Sequence, residues 1–161
     1  MKYRSLIVAA AALIFFSSAD SETKRTAALN EPAPELILTR GKSTETLEDH
    51  SGKYVILSFW SATDPASRIA NVRLDRMATS LSYKGIDVIS VCTGTDRALY
   101  SQLLTVDSLD ADRQYHYTDS QLPFIVDDYA LSDSPLLYLV SPDGTLTAAA
   151  DTPQALLAHI N

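Results

Sequence analysis

The run Tyr54–Trp60, Y-V-I-L-S-F-W, leaves this chain few folds to choose from. Seven β-branched, aromatic or otherwise apolar residues with a single serine describe a strand covered on both faces. The neighbouring residues narrow the choice. Over residues 65–83 the apolar side chains Ala66, Ala70, Leu74, Met77 and Leu81 recur at spacings of three and four, with Arg68, Arg73, Asp75 and Arg76 largely on the other side. That is an amphipathic helix. Gly85 stops it, and Ile86–Cys92 is a second buried strand. A buried strand, a helix and another buried strand make a parallel crossover, which needs a sheet with helices packed against it.

The remaining elements fit around that unit. The residues E-L-I-L (35–38) form a short strand, residues 39–42 a turn, and T-L-E-D-H (46–50) one helical turn closed by Gly52. Asp96 opens another helix that runs to Leu104, and Tyr115-His116-Tyr117 alternates as a short strand within a polar, acidic stretch. Residues 124–129 form a short helix. After Ser134-Pro135, L-L-Y-L-V is a strand that turns through Ser141-Pro142-Asp143-Gly144 and returns antiparallel, the glycine suiting a positive φ. The chain closes on a helix capped by Thr152 with Pro153 in its first turn. The expected fold class is therefore α/β, with a central mixed sheet and helices on both faces.

The first residues stand apart. Lys2 and Arg4 precede the apolar run 6–16, and Ser17-Ser18-Ala19 supplies small residues, the pattern of a cleavable export signal over residues 1–19. The run is shorter than the roughly 20 residues a spanning helix needs, so no stable membrane span is expected after cleavage. Residues 20–33 are polar and aperiodic and read as a flexible leader, leaving 34–161 as one domain. Residues 1–19 carry two bases and no acid, so the remainder has 11 basic and 20 acidic side chains, a formal charge of −9. That excludes nucleic acid as an expected partner. Cys92 is the single cysteine, so no internal disulfide can form and packing alone must hold the fold.

Three blocks of residues resemble the thioredoxin superfamily, specifically the exported bacterial thiol-disulfide proteins of the TlpA/ResA type and their AhpC/TSA (redoxin, peroxiredoxin-like) neighbours. They are A-P-E-L-I-L (33–38) with Gly52-Lys53 and the core strand, the frame from Trp60 to Arg68, and Y-A-L-S-D-S-P-L-L-Y-L-V-S-P-D-G (129–144). The resemblance covers 34–161 and implies a thioredoxin-like fold in a protein of the periplasm or cell envelope of a bacterium. It also implies a cis peptide bond at Ser134-Pro135. The family places a C-x-x-C pair at the start of the helix after the core strand, followed by Lys or Arg. Here the two positions hold Asp64 and Ser67, with Pro65 and Ala66 between them and Arg68 keeping the base. A peroxiredoxin alignment, with Ser61 as the preceding hydroxyl, also puts the nucleophile on Asp64.

Disulfide exchange needs a thiolate, which this fold stabilises at a helix N-terminus. A carboxylate there cannot form a mixed disulfide, and an unassisted serine hydroxyl stays protonated. The same terminus favours an aspartate, because free amides and the helix dipole attract negative charge, and Asp followed by Pro is a strong helix start. The expectation is a redox-inactive accessory protein in which Asp64 is a cap. The resemblance implies that an exported protein or peptide would be held in extended form in a groove at Trp60, Thr63, Asp64, Ser134, Pro135 and Leu136. The alternative is a thiol-disulfide oxidoreductase or peroxiredoxin-like enzyme acting through Cys92 or a partner's thiol, or hydrolysis by Asp64 with Ser67. Cys92 reads as a buried small hydrophobe. His50, His116 and His159 are scattered, and no metal-spaced cluster or phosphate-binding loop is visible, so no cofactor or metal is expected. Tyr115, Tyr117, Tyr129 and Tyr138 read as packing residues.

Overall fold

The structure, a computed structural model, describes residues 27–40, 42–117, 122–131 and 137–160. The expected export signal lies outside the described residues, as do Ser134, Pro135 and Leu136. The architecture is the expected one: a mixed five-stranded sheet with helices on both faces.

At its centre is β3 (Tyr54–Trp60), paired in parallel along its whole length with β4 (Ile86–Cys92), from Tyr54↔Ile86 to Trp60↔Cys92. On its other side β3 pairs antiparallel with β6 (Leu137–Val140), and β6 with β7 (Leu146–Ala150). The short strand β5 (Gln114–His116) adds in parallel to the far end of β4, so the order is β5-β4-β3-β6-β7. A separate hairpin, β1 (Ile37–Arg40) with β2 (Ser43–Thr46), leads into a 3-10 turn at Leu47–His50.

Strand alternation sorts the core. Ile56 of β3, Ile86 and Val88 of β4, and Leu137 and Leu139 of β6 pack under α1 (Pro65–Ser82) and α4 (Pro153–Leu157) through Leu74, Ala78, Leu81 and Leu156. Trp60 and Cys92 continue that face beneath α2 (Arg97–Val106), against Tyr100 and Leu103. On the opposite face Val55, Leu57, Phe59, Ile89 and Val91 meet Leu36, Leu38 and Ile125, the last from α3 (Leu122–Asp128). The four tyrosines complete this second layer as expected, all buried. Their hydroxyls also act as pins: Tyr117 donates to the carbonyl of Ile37, Tyr129 to that of Pro34 at 2.7 Å, and Tyr138 to that of Tyr129 at 2.5 Å.

Two positive-φ glycines end elements at the expected positions, Gly85 (φ 74°) after α1 and Gly144 (φ 85°) in the β6–β7 turn. Two expectations need revision. Thr39 and Arg40, expected in the turn, belong to strand β1, and S-T-E-T, to which the sequence pattern assigns no strand, is β2, registered with β1 from Ile37↔Thr46 to Arg40↔Ser43; its four polar residues carry no apolar alternation, and backbone pairing alone defines it. The part of the leader that is described, residues 27–33, is not separate from the domain. Asn30 N–H donates to Leu146 C=O at 2.7 Å, Leu146 N–H to Glu31 C=O at 2.9 Å and Ala33 N–H to Gly144 C=O at 2.9 Å, and Pro32 bridges to Thr145. The physical reason is that the start of edge strand β7 offers backbone donors and acceptors that any sequence can meet, whatever its side chains.

Candidate functional site

The part of the expected site that falls among the described residues lies where β3 hands over to α1. Between them lies a tight turn closed by Asp64 N–H donating to Ser61 C=O at 3.2 Å. Hydroxyls lock it: Ser61 Oγ lies 3.0 Å from Thr63 Oγ1 and accepts from Thr63 N–H at 3.3 Å. Thr63, Pro65 and Ala66 lie at this corner, all three exposed to solvent.

Asp64 is the N-cap of α1, in extended conformation, with Pro65 in the first turn. Its Oδ1 accepts from Ala66 N–H at 3.1 Å and its Oδ2 from Ser67 N–H at 3.2 Å. The Ala66 amide foremost, with Ser67, holds the carboxyl below its ordinary value. Both orphan amides that would stabilise a thiolate are therefore occupied by the carboxylate.

Ser67, at the second family position, is buried at 2% exposure. Its hydroxyl donates towards the carbonyls of Asp64 (3.1 Å) and Ser61 (3.4 Å) and accepts from Ser61 N–H at 3.1 Å. Each of these partners is backbone, and among the described residues no general base bonds to the hydroxyl. Arg68 points away from the turn to Asp107 at the end of α2, in a two-pronged pair with Nε to Oδ2 and Nη2 to Oδ1 both at 2.6 Å. That pairing lowers the Asp107 carboxyl and raises the guanidinium.

Trp60 is the one proposed groove residue whose described position does not suit the role. It is 1% exposed, faces α2 rather than the corner, and packs with Cys92, Tyr100 and Leu103. Its Nε1–H donates to Gln114 Oε1 at 3.2 Å, which also accepts from Asn71 Nδ2 at 3.2 Å, while Gln114 Nε2 reaches Asp75 Oδ1 at 3.4 Å. Strand parity explains the placement, since Trp60 shares the phase of Ile56. This buried polar relay, with Gln114 at its hub, and the Asp107 clamp are the features the sequence did not reveal; their partners stand 39 to 54 residues apart.

Cys92 is fully buried, as expected, and burial pushes its thiol up to about 12, a shift only partly opposed by a hydrogen bond with the Ala62 backbone. Burial and the raised thiol both work against its reaction. The histidines do not assemble: His50 Nδ1 meets Asp87 Oδ2 at 2.9 Å, His116 Nε2 donates to Thr95 C=O at 2.7 Å, and His159 is exposed near the end of the chain. Among the described residues no three His, Cys, Asp or Glu side chains converge as metal ligands, and no helix is long and apolar enough to cross a membrane. A concavity of about 1260 Å³ opens at the other end of the sheet from Asp64, between Pro34, Leu47, Val55, Val140 and Gly144.

No protein-family model matches the sequence, and no curated protein is similar to it in sequence. Solved structures are similar to it in fold. The thioredoxin domain of a thiol-disulfide oxidoreductase from Bacteroides vulgatus superposes with a TM-score of 0.72 at 21% identity, covering 84% of this chain and all of that one. A thioredoxin-like protein from Parabacteroides distasonis gives 0.66 at 22% identity, over 83% and 97% of the two chains. A thiol:disulfide interchange protein from a Bacteroides species gives 0.65 at 22%, over 76% and 80%. The fold is thioredoxin-like, and the position where a thiol was expected carries the capped carboxylate of Asp64.

Proposed function

We propose that this protein is a redox-inactive, thioredoxin-like accessory module of the bacterial cell envelope that holds an extended segment of an exported polypeptide at the corner formed by Thr63, Asp64 and the Ser134-Pro135-Leu136 segment. The observation that carries the reading is the state of the α1 start: the Asp64 carboxylate accepts both free amides and the Ser67 hydroxyl is committed to backbone. Such a corner has no nucleophile for sulfur, yet the turn that would present it is formed and held by its own hydrogen bonds. Binding by backbone pairing needs no thiol. Trp60, buried beneath α2, takes no part in holding the ligand. An oxidoreductase acting through Cys92 is disfavoured by burial, which removes both access and thiolate, and hydrolysis by Asp64 with Ser67 is disfavoured by the buried, backbone-bonded hydroxyl.

The test joins two measurements on one preparation. Insulin disulfide reduction by the native chain and by Cys92→Ser should stay at background, while a fluorescently labelled, unfolded exported protein should bind the native chain and bind Pro135→Ala less well. Turnover lost on Cys92→Ser would overturn the reading, as would binding indifferent to Pro135.

A further inference from the structure

The outer edge of β4 is only half used. β5 pairs with Ser90, Val91 and Cys92, so residues 86–89 have β3 on one side and, among the described residues, no strand on the other. Along a parallel strand, backbone groups point alternately to the two sides. Cys92 C=O accepts from Tyr117 N–H on the β5 side, which aims the backbone of Val88, two alternations earlier, towards the same open side. A cavity of about 240 Å³ lies there, bordered by Arg40, Glu45, His50, Val88, Arg113 and Tyr115. It is far along the sheet from Asp64, at the opposite end of the strands.

Three polar atoms of that border are buried without a hydrogen-bond partner: Glu45 Oε1, His50 Nε2 and Arg113 Nε. Buried polar atoms are nearly always satisfied, so three orphans around one small space mark a place built for something more than packing. Their chemistry is directional. His50 Nδ1 lies 2.9 Å from Asp87 Oδ2, a carboxylate that can only accept, so Nδ1 is the N–H donor and Nε2 is the acceptor nitrogen of this tautomer, in the manner of an oriented ligand histidine. Asp87 is also held by Lys53 at 3.0 Å and Arg113 Nη2 by Asp110 at 2.6 Å, while Arg113 Nε, though it makes no hydrogen bond, stands 3.5 Å from Asp75 Oδ1. Glu45 has no ion-pair partner among the described residues. The charged groups Arg40, Asp87, Asp112 and Arg113 of this border are each paired with an opposite charge, which leaves two unpartnered side-chain acceptors, one of them the Glu45 carboxylate without a cation, beside the open backbone edge at Val88 and the Nε–H of Arg113.

An ammonium group carries three donors and one positive charge, and it matches the acceptors; a carbonyl oxygen beside it matches Arg113 Nε–H. We propose that this notch binds the amino terminus of a peptide, with the α-ammonium on Glu45 and His50, the first carbonyl on Arg113, and the chain continuing along the free edge of β4 as an added strand. The volume, equal to about eight waters, admits a dipeptide-sized end.

The experiment follows backbone amide shifts of the full chain during titration with alanyl-alaninamide and, separately, with its N-acetyl derivative, which lacks the ammonium. Saturable shifts at Glu45, Asp87, Val88 and Ile89 are expected with the free amine, and affinity about tenfold or more weaker with the acetylated probe. Glu45→Gln, which keeps the side-chain shape, should lose a similar factor of about ten. Absence of saturable shifts, equal binding of the two probes, or undiminished binding by a folded Glu45→Gln each overturns the proposal. The probe comparison uses the native chain and so decides the matter even where the substitution perturbs folding, and none of these readouts involves the Asp64 corner.

Discussion

The two helices that leave the parallel strands begin alike. α1 starts at Asp64 and α2 at Asp96, each an extended N-cap whose carboxylate accepts backbone amides, Ala66 and Ser67 in the first case and Leu99 at 2.9 Å in the second. Nothing in thioredoxin-like architecture asks for chemistry at the start of α2, so its cap is simply how a helix begins. The start of α1 stands where the resemblance expects a reactive thiol, and its bonding has become that of the ordinary start. What distinguishes the two is their surroundings: α1 has Pro65 in its first turn, a second hydroxyl at Ser67 bonded into the preceding turn, and Arg68 tied to the far end of α2. The frame around the corner has been kept while its reactive atom has been replaced.

Restoring that atom is the most forceful way to break the comparison. Asp64→Cys with Ser67→Cys puts thiols at the N-cap and third helical position, where the two freed amides should lower the first thiol's pKa, and insulin reduction should rise on the order of a hundredfold over the native chain. A double variant that folds but stays at background would mean that the two helix starts differ by more than two side chains.

The Arg68–Asp107 clamp offers a second, smaller test, because it ties the first turn of α1 and nothing comparable ties the first turn of α2 among the described residues. The clamp depresses the Asp107 carboxyl, so the folded state binds its proton less readily than the unfolded chain does. Its contribution is therefore complete above the ordinary carboxylate value of about 4 and is lost as pH falls through the lowered folded value. Arg68→Ala should cost about 1 to 2 kcal/mol at pH 7 by urea denaturation, and the difference from the native chain should shrink towards pH 2. A pH-independent difference would point to lost packing of the arginine stem instead.

The smallest effect sharpens the comparison directly. Asp64→Ala and Asp96→Ala should each lower Tm by about 2 to 6 °C, and by similar amounts if both residues are caps and nothing else. A rise in Tm for Asp64→Ala alone would identify a residue kept at the expense of stability, the mark of a functional group.

Much of this was legible in the chain because it rests on local patterns. Y-V-I-L-S-F-W and I-D-V-I-S-V-C marked the two central strands to the residue, and Asp-Pro marked the start of α1, since burial on both faces and helix capping each write a short-range signature. β2 escaped because S-T-E-T pairs through backbone alone. At the site, Asp64 and Ser67 were placed by sequence, but Trp60 was assigned to a surface that its strand parity denies it. The polar relay through Gln114 and the clamp on Asp107 could not be read, because nothing in a single sequence says which of its glutamines and acids will meet a partner dozens of residues away.

The tyrosine pins set an order of events. Tyr117 fastens Ile37 across 80 positions and Tyr129 fastens Pro34 across 95, so the amino-terminal hairpin has no anchor until most of the polypeptide has been made. Closing loops of that span is entropically unfavourable until the sheet supplies both ends. The earliest part of this domain to be synthesised is thus secured only once Tyr117 and Tyr129 have followed it, and until then the apolar underside of β3 and β4 that it covers stays open to other chains.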